Sequence, residues 1–223
     1  YGELFDHKGP LIYLINVLGT FVSLRYGVFF IELFFMTVTL VFTWKTLTLF
    51  CDGFRAMLAD VICYLFLYGF FECGNLVEEY SMVFMAISIY LFSVYYLKEE
   101  TTGIKIMAAG MCLAAVLLLR PNMIGIWIVF CCAVLIRELR RGNGLFVLRI
   151  TGFFLLGLLV VLVPVFAYLL QKDLLEAFLD CYLVFNFEYS ASGGGTILYS
   201  LLCYLKSAFL VVSLFFWGVS AYS

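Results

Sequence analysis

Between Leu145 and Leu170 the chain reads LFVLRITGFFLLGLLVVLVPVFAYLL, and Arg149 is its single charge. A helix rising about 1.5 Å per residue needs about 20 mostly apolar residues to cross roughly 30 Å of hydrocarbon. This stretch meets that length, and it is not alone. Windows of the same kind predict further spans near 26–49, 56–71, 80–97, 104–119, 123–137 and 197–220. Of the 223 residues, 65% are hydrophobic and 13% charged, with a mean hydropathy of +1.11. Soluble domains hold roughly 45–50% apolar and 25% charged residues, so this is an integral membrane protein. The fold class expected is all-α, a polytopic transmembrane helical bundle of about seven spans.

The segments 56–71, 104–119 and 123–137 are short and need burial among neighbours or local bilayer thinning. The apolar stretch 10–22 is shorter still and is expected to lie along the interface or re-enter it. Lys206 falls inside 197–220, so either it snorkels or the last span begins after it. No internal repeat or linker interrupts the chain, which reads as one membrane domain over 1–223. Residues 1–25 form an outer loop plus interfacial helix, and 26–223 the membrane helices. Pro121 and Pro164 are the prolines of the apolar body, and Gly193-Gly194-Gly195 marks a flexible stretch before the last helix.

Charge orients the bundle. Lys45 and Arg55, then Lys98 and Lys105, then Arg137, Arg140, Arg141 and Arg149 fall in alternate loops, and the positive-inside rule places these in the cytoplasm. Residues 1–9, 72–80, the corner Arg120-Pro121-Asn122 and 171–195 then face outward. A net charge of −2 and no long basic stripe exclude a nucleic-acid partner. Cys63, Cys112, Cys131, Cys132 and Cys203 sit in apolar runs as small hydrophobes; Cys73 and Cys181 are the pair that could bridge.

Polar clusters at a membrane edge are candidates for function. Asp6, His7 and Lys8 precede the interfacial helix, and Glu72, Asn75, Glu78, Glu79 and Tyr80 cap the next outer end. Arg120 and Asn122 form another corner, while Asn186, Glu188 and Tyr189 lie in the last outer loop. Each cluster can also be a solvated helix end, as Asp173, Glu176 and Asp180 are read here. Lys8 and Arg120 could hold a phosphate, Lys as a point charge and Arg through a two-donor fork; Lys8 could equally snorkel to the head groups. Nearby carboxylates could take a proton from an acceptor hydroxyl or amine.

The segment "LFDHKGPLIYLIN" resembles the first outer loop of the GT-C superfamily of polytopic glycosyltransferases, in the branch of bacterial protein mannosyltransferases and lipid A aminoarabinose transferases. "GNLVEEYSMVF", "LLLRPNMIGIW" and "VFNFEYS" are similar to later segments of the same group. The resemblance implies transfer of a sugar from a polyprenyl-phosphate donor to an envelope acceptor (glycan, lipid or protein) at the extracytoplasmic face of the cell membrane. It implies that Lys8 approaches the lipid phosphate, and that the principal catalytic aspartate lies upstream of Tyr1, the chain being a piece of a longer protein. Arg120 is a second phosphate candidate from its position. Asp6 is a second acid of the site, able to orient His7 or meet the acceptor. His7, Glu78, Glu79, Tyr80 and Asn122 are candidates for substrate binding.

His7 is the single histidine. Beside Asp6 it lacks the ligand count of a closed metal site, even were Glu78 and Glu79 to join, so no metal or other cofactor is expected. The rival classes are a transporter or flippase of lipid-linked or small polar substrates, which suits charged helix ends, and a structural assembly subunit.

Overall fold

Proline has no N–H to leave unpaired and a φ already suited to the first helical position, and Pro10 opens the first helix of the structure. The computed structural model describes residues 8–68 and 74–184. Its elements are α1 (Pro10–Val22), α2 (Gly27–Leu47), α3 (Gly53–Tyr68), α4 (Val77–Lys98), α5 (Gly103–Leu117), α6 (Gly125–Arg140), α7 (Gly144–Gln171) and the short α8 (Leu175–Phe178). A 3-10 turn, Pro121–Met123, leads into α6, and a π-helical turn, Leu179–Val184, follows α8. No strand occurs among the described residues.

The all-helical class expected from the sequence is what the structure has. Among the described residues four stretches are long and apolar enough to cross a membrane: Gly27–Leu47, Val77–Lys98, Pro121–Arg140 and Gly144–Gln171. Below that length fall α3, with 16 residues, and α5, with 15. At about 1.5 Å per residue α5 covers roughly 22 Å. The expected segment 197–220, with Lys206 and Cys203, lies outside the described residues, as does Gly193–Gly195. Helix α1 covers the stretch expected to form an interfacial helix; it buries Ile12, Ile15 and Gly19 and leaves Leu14, Val17, Leu18 and Phe21 exposed.

The long helices other than α4 keep little of their apolar surface inside. Phe34 is 64% exposed and Leu148 71%, values that a soluble protein repeated over several helices would not tolerate. The threonine hydroxyls within α2 are satisfied locally. Thr37, Thr39, Thr43 and Thr46 each donate their hydroxyl to the carbonyl four residues back, at 2.7 to 2.9 Å, leaving no hydroxyl to be solvated by lipid.

Helix α2 runs parallel to α4: Phe35 meets Tyr80 and Phe84 edge-on, and Phe42 meets Tyr90. The small residues of α5 let it sink between α4 and α7. Gly110, Cys112, Ala114, Ala115 and Val116 are buried, which is how a short apolar helix avoids mismatch with the bilayer. Where α5 crosses α7 the backbones touch: a Cβ at Gly110 would overlap the Phe154 carbonyl, and one at Gly157 the Met107 carbonyl.

At the end of the bundle holding the basic loops, the charges are used for packing. Glu138 of α6 is 2% exposed. It accepts hydrogen bonds from the Tyr95 hydroxyl at 2.6 Å and from Asn143 Nδ2 at 2.9 Å, joining α4, α6 and the start of α7. Arg137 lies over the Tyr96 ring at 4.6 Å and donates to the Tyr96 carbonyl at 2.8 Å. Removing the acceptor by Glu138→Ala leaves the half-buried Tyr95 hydroxyl unmet and unties Asn143, and should lower unfolding free energy by about 1 kcal/mol. Thermal unfolding in detergent reads this, and an unchanged melt would count against the junction.

Glu99, at the left-handed C-cap of α4 (φ 55°), accepts from both Arg141 at 2.7 Å and Arg137 at 2.5 Å. The Arg141 hydrogen bond, and then its charge, hold the Glu99 carboxyl below its ordinary 4.5. With the folded value depressed, the clasp contributes above 4.5 and is lost as pH falls through the lower folded value. Glu99→Gln should therefore melt earlier than the parent at neutral pH and coincide with it in acid; parallel pH profiles would contradict the clasp.

Candidate functional site

The last carbonyls of a helix have no partner within it, and at the C-terminus of α5 distant segments supply them. The Tyr182 hydroxyl donates to the Leu117 carbonyl at 2.8 Å, and the Leu11 amide donates to the Leu118 carbonyl at 3.2 Å. Gly9 is buried against that same Leu118 carbonyl, so closely that a Cβ would overlap the oxygen. The Lys-Gly-Pro sequence thus has a local reason: glycine lets the chain pass over the end of α5, and proline then starts α1. Leu119 follows into an apolar cluster with Ile12, Ile15, Val77 and Tyr80, which fixes α1, α4 and the α5 corner together.

Lys8 is exposed beside this docking point. Two residues after Leu118, Arg120 forms an ion pair with Glu78 of the first turn of α4; both side chains are about two-fifths exposed, at 39% and 41%. Segments 8–11, 75–80, 117–120 and 182 therefore meet at one end of the bundle, opposite the Glu138 junction. The sequence placed them on a common side from charge alone. Asn122 is exposed on the 3-10 turn just beyond Arg120.

Glu79 and Tyr80 point elsewhere than a substrate reading requires. Glu79 is 1% exposed and Tyr80 fully buried. The Glu79 carboxylate accepts the Leu76 amide at 3.1 Å, and the Tyr80 hydroxyl donates to Asn75 Oδ1 at 3.1 Å while its ring packs on Phe35. Both hold the turn that starts α4. Glu32 of α2 completes that turn by accepting the Asn75 amide at 2.9 Å. Its carboxylate lies where a Cβ of residue 74 would be, and Gly74 adopts φ 85°, a conformation open to glycine. Glu32 and Tyr182 are contributors whose contacts at this end, with the Asn75 amide and the Leu117 carbonyl, sequence reasoning did not name. A Gly-Asn pair suits a tight turn, but nothing in the sequence names Glu32 as the acceptor of its amide.

Asp6 and His7 lie outside the described residues, as do Glu72, Asn186, Glu188 and Tyr189. The same holds for Cys73, which leaves the expected pairing with Cys181 without a described partner. Among the described residues no group of three His, Cys, Asp or Glu is placed to hold a metal ion. Chemically, the described residues bring to this meeting point the exposed Lys8 ammonium, the Arg120 guanidinium in an exposed ion pair, and a rigid backbone frame beneath them.

Comparisons with family models, with curated proteins and with solved structures return no match.

Proposed function

We propose that this chain is the membrane part of a glycosyltransferase that moves a sugar from a polyprenyl-phosphate donor to an envelope acceptor at the extracytoplasmic face. The observation that carries the reading is the docking of Gly9 and Leu11 onto the Leu118 carbonyl, which puts Lys8 and Arg120 at one end of the bundle over a fixed frame. An exposed ion pair is worth about 0–1 kcal/mol. Arg120 can therefore exchange Glu78 for a phosphate at little cost and engage it through two donors.

In the proposed reaction a carboxylate upstream of Tyr1, assisted by Asp6, takes the proton of the acceptor hydroxyl or amine. The freed electron pair bonds to the anomeric carbon, and the bond from that carbon to the phosphate oxygen breaks. Lys8 and Arg120 take up the charge that develops on the departing polyprenyl phosphate. Within this chain the bundle then has about seven spans, α3, α5 and the 197–220 segment joining the four long ones.

Mass spectrometry of cell-envelope glycans with and without the intact gene tests this. The expected result is loss of one sugar residue, which names donor and acceptor class together; an unchanged glycan profile overturns the reading. A transporter or flippase is favoured by Glu32 and Glu79, acids that meet between α2 and α4. It predicts substrate crossing sealed vesicles with no covalent product.

A further inference from the structure

A cavity of about 230 Å³ lies between α4, α5, α6 and α7 and runs from Trp127 toward the end that carries the basic loops. It exceeds the roughly 150 Å³ at which a dry engineered cavity takes up benzene or xenon. Along α6 its wall runs from Trp127 to Leu135, which at about 1.5 Å per residue is roughly 12 Å. One leaflet of a bilayer with a hydrocarbon core about 30 Å thick offers about 15 Å. The cavity thus has the depth of a leaflet's acyl region.

Its wall is polarised. The deep part is closed by Trp127 and Ser88, 3% and 2% exposed, and the Trp127 Nε1 makes no hydrogen bond. That unmet donor marks a place where the protein has not closed on itself. The other end carries Lys105, the single charged side chain on the wall among the described residues, with the hydroxyls of Thr101 and Thr151 beside it. Arg149 borders the same end, stacked over Phe153, whose ring packs on Gly103 at the start of α5. An apolar slot of leaflet depth, opening at a cation and two hydroxyl donors, matches a chain that ends in an anion.

We propose that this cavity holds one acyl chain of an anionic glycerophospholipid from the leaflet on the basic-loop side, with its phosphate against Lys105, Thr101 and Thr151. The site is at the end of the bundle opposite Lys8 and Arg120 and stands independently of glycosyl transfer. Bound lipid fills the space that the α4–α7 helices leave and ties α6 to its neighbours.

Trp127 is a built-in reporter. In the full chain carrying Trp44→Phe and Trp217→Phe, its fluorescence is titrated in detergent micelles with phosphatidylglycerol or phosphatidylcholine bearing brominated acyl chains. Phosphatidylglycerol should quench in a saturable way, with half-effect at a lipid fraction about five-fold below that of phosphatidylcholine, the gain expected of one lysine at an anionic head group. Lys105→Gln should abolish the difference between the lipids. Ala109→Leu, which fills the slot, should remove the saturable component. Quenching that rises only in proportion to lipid fraction, alike for both lipids, overturns the site. Saturation without preference, unchanged by Lys105→Gln, overturns the anionic assignment, and this arm stands even if the leucine variant fails to fold.

Discussion

Gly157→Val pushes α7 away from α5 and lowers the unfolding free energy by about 3 kcal/mol. The side chain added there has nowhere to go, because its first atom would overlap the Met107 carbonyl, a backbone oxygen of the facing helix. A flexible neighbour could yield; a helix backbone cannot without moving the helix. In lipid, where no hydrophobic force drives helices together, such close approach at small residues is itself the attraction. The reciprocal contact of Gly110 with the Phe154 carbonyl makes the crossing a paired one, so both helices must shift. Gly152→Ala is the control, since a Cβ at Gly152 meets nothing within 4 Å. Thermal unfolding in detergent should separate the two variants sharply, and equal melting temperatures would refute the crossing as a determinant of stability.

Lys8→Ala in the full-length protein should reduce sugar transfer by about 10²–10³-fold, the effect of deleting one preorganised donor to a developing oxyanion. Membrane insertion and melting temperature should stay as they are, because Lys8 is exposed while Gly9 and Leu11 dock this segment on the Leu118 carbonyl. The turnover assay needs the donor lipid in excess, so that the loss appears in rate and not only in affinity. Unchanged turnover would remove Lys8 from the site and leave it as a residue that faces the head groups.

The fold was legible in the sequence wherever a single physical demand decided it. Apolar stretches of span length became α2, α4 and α7, the stretch 123–137, read as short, extends to Pro121–Arg140, and the stretch 10–22 became α1 with those bounds. The sharing of one end by 8–11, 75–80 and 117–120 followed from the alternation of basic loops, a signal that survives because membrane insertion reads charge along the chain. What escaped was contact between elements. Glu79 and Tyr80 were read as substrate groups because polarity at a helix start looks the same whether it faces a ligand or a neighbouring turn. Only the position of Asn75 and Leu76 shows that they face the turn. Tyr182 bonds a carbonyl that lies 65 residues away in sequence, and no local pattern announces such a pairing. The basic loop 137–149 was read for orientation alone, whereas Arg137 and Arg141 also bind Glu99 and border Glu138.

The end of α5 is finished by groups from outside its own helix. Leu11 closes one carbonyl and Tyr182 another, so the last turn of α5 cannot fray without breaking bonds to residues far away in the sequence. Local opening in proteins usually begins at such termini. Here that first step is tied to α1 and to the π-helical turn after α8, which makes the three segments a single cooperative unit. Amide exchange at Leu11, Leu118 and Arg120 should then proceed at one common rate, and the surface that carries Lys8 keeps its shape until the unit opens as a whole.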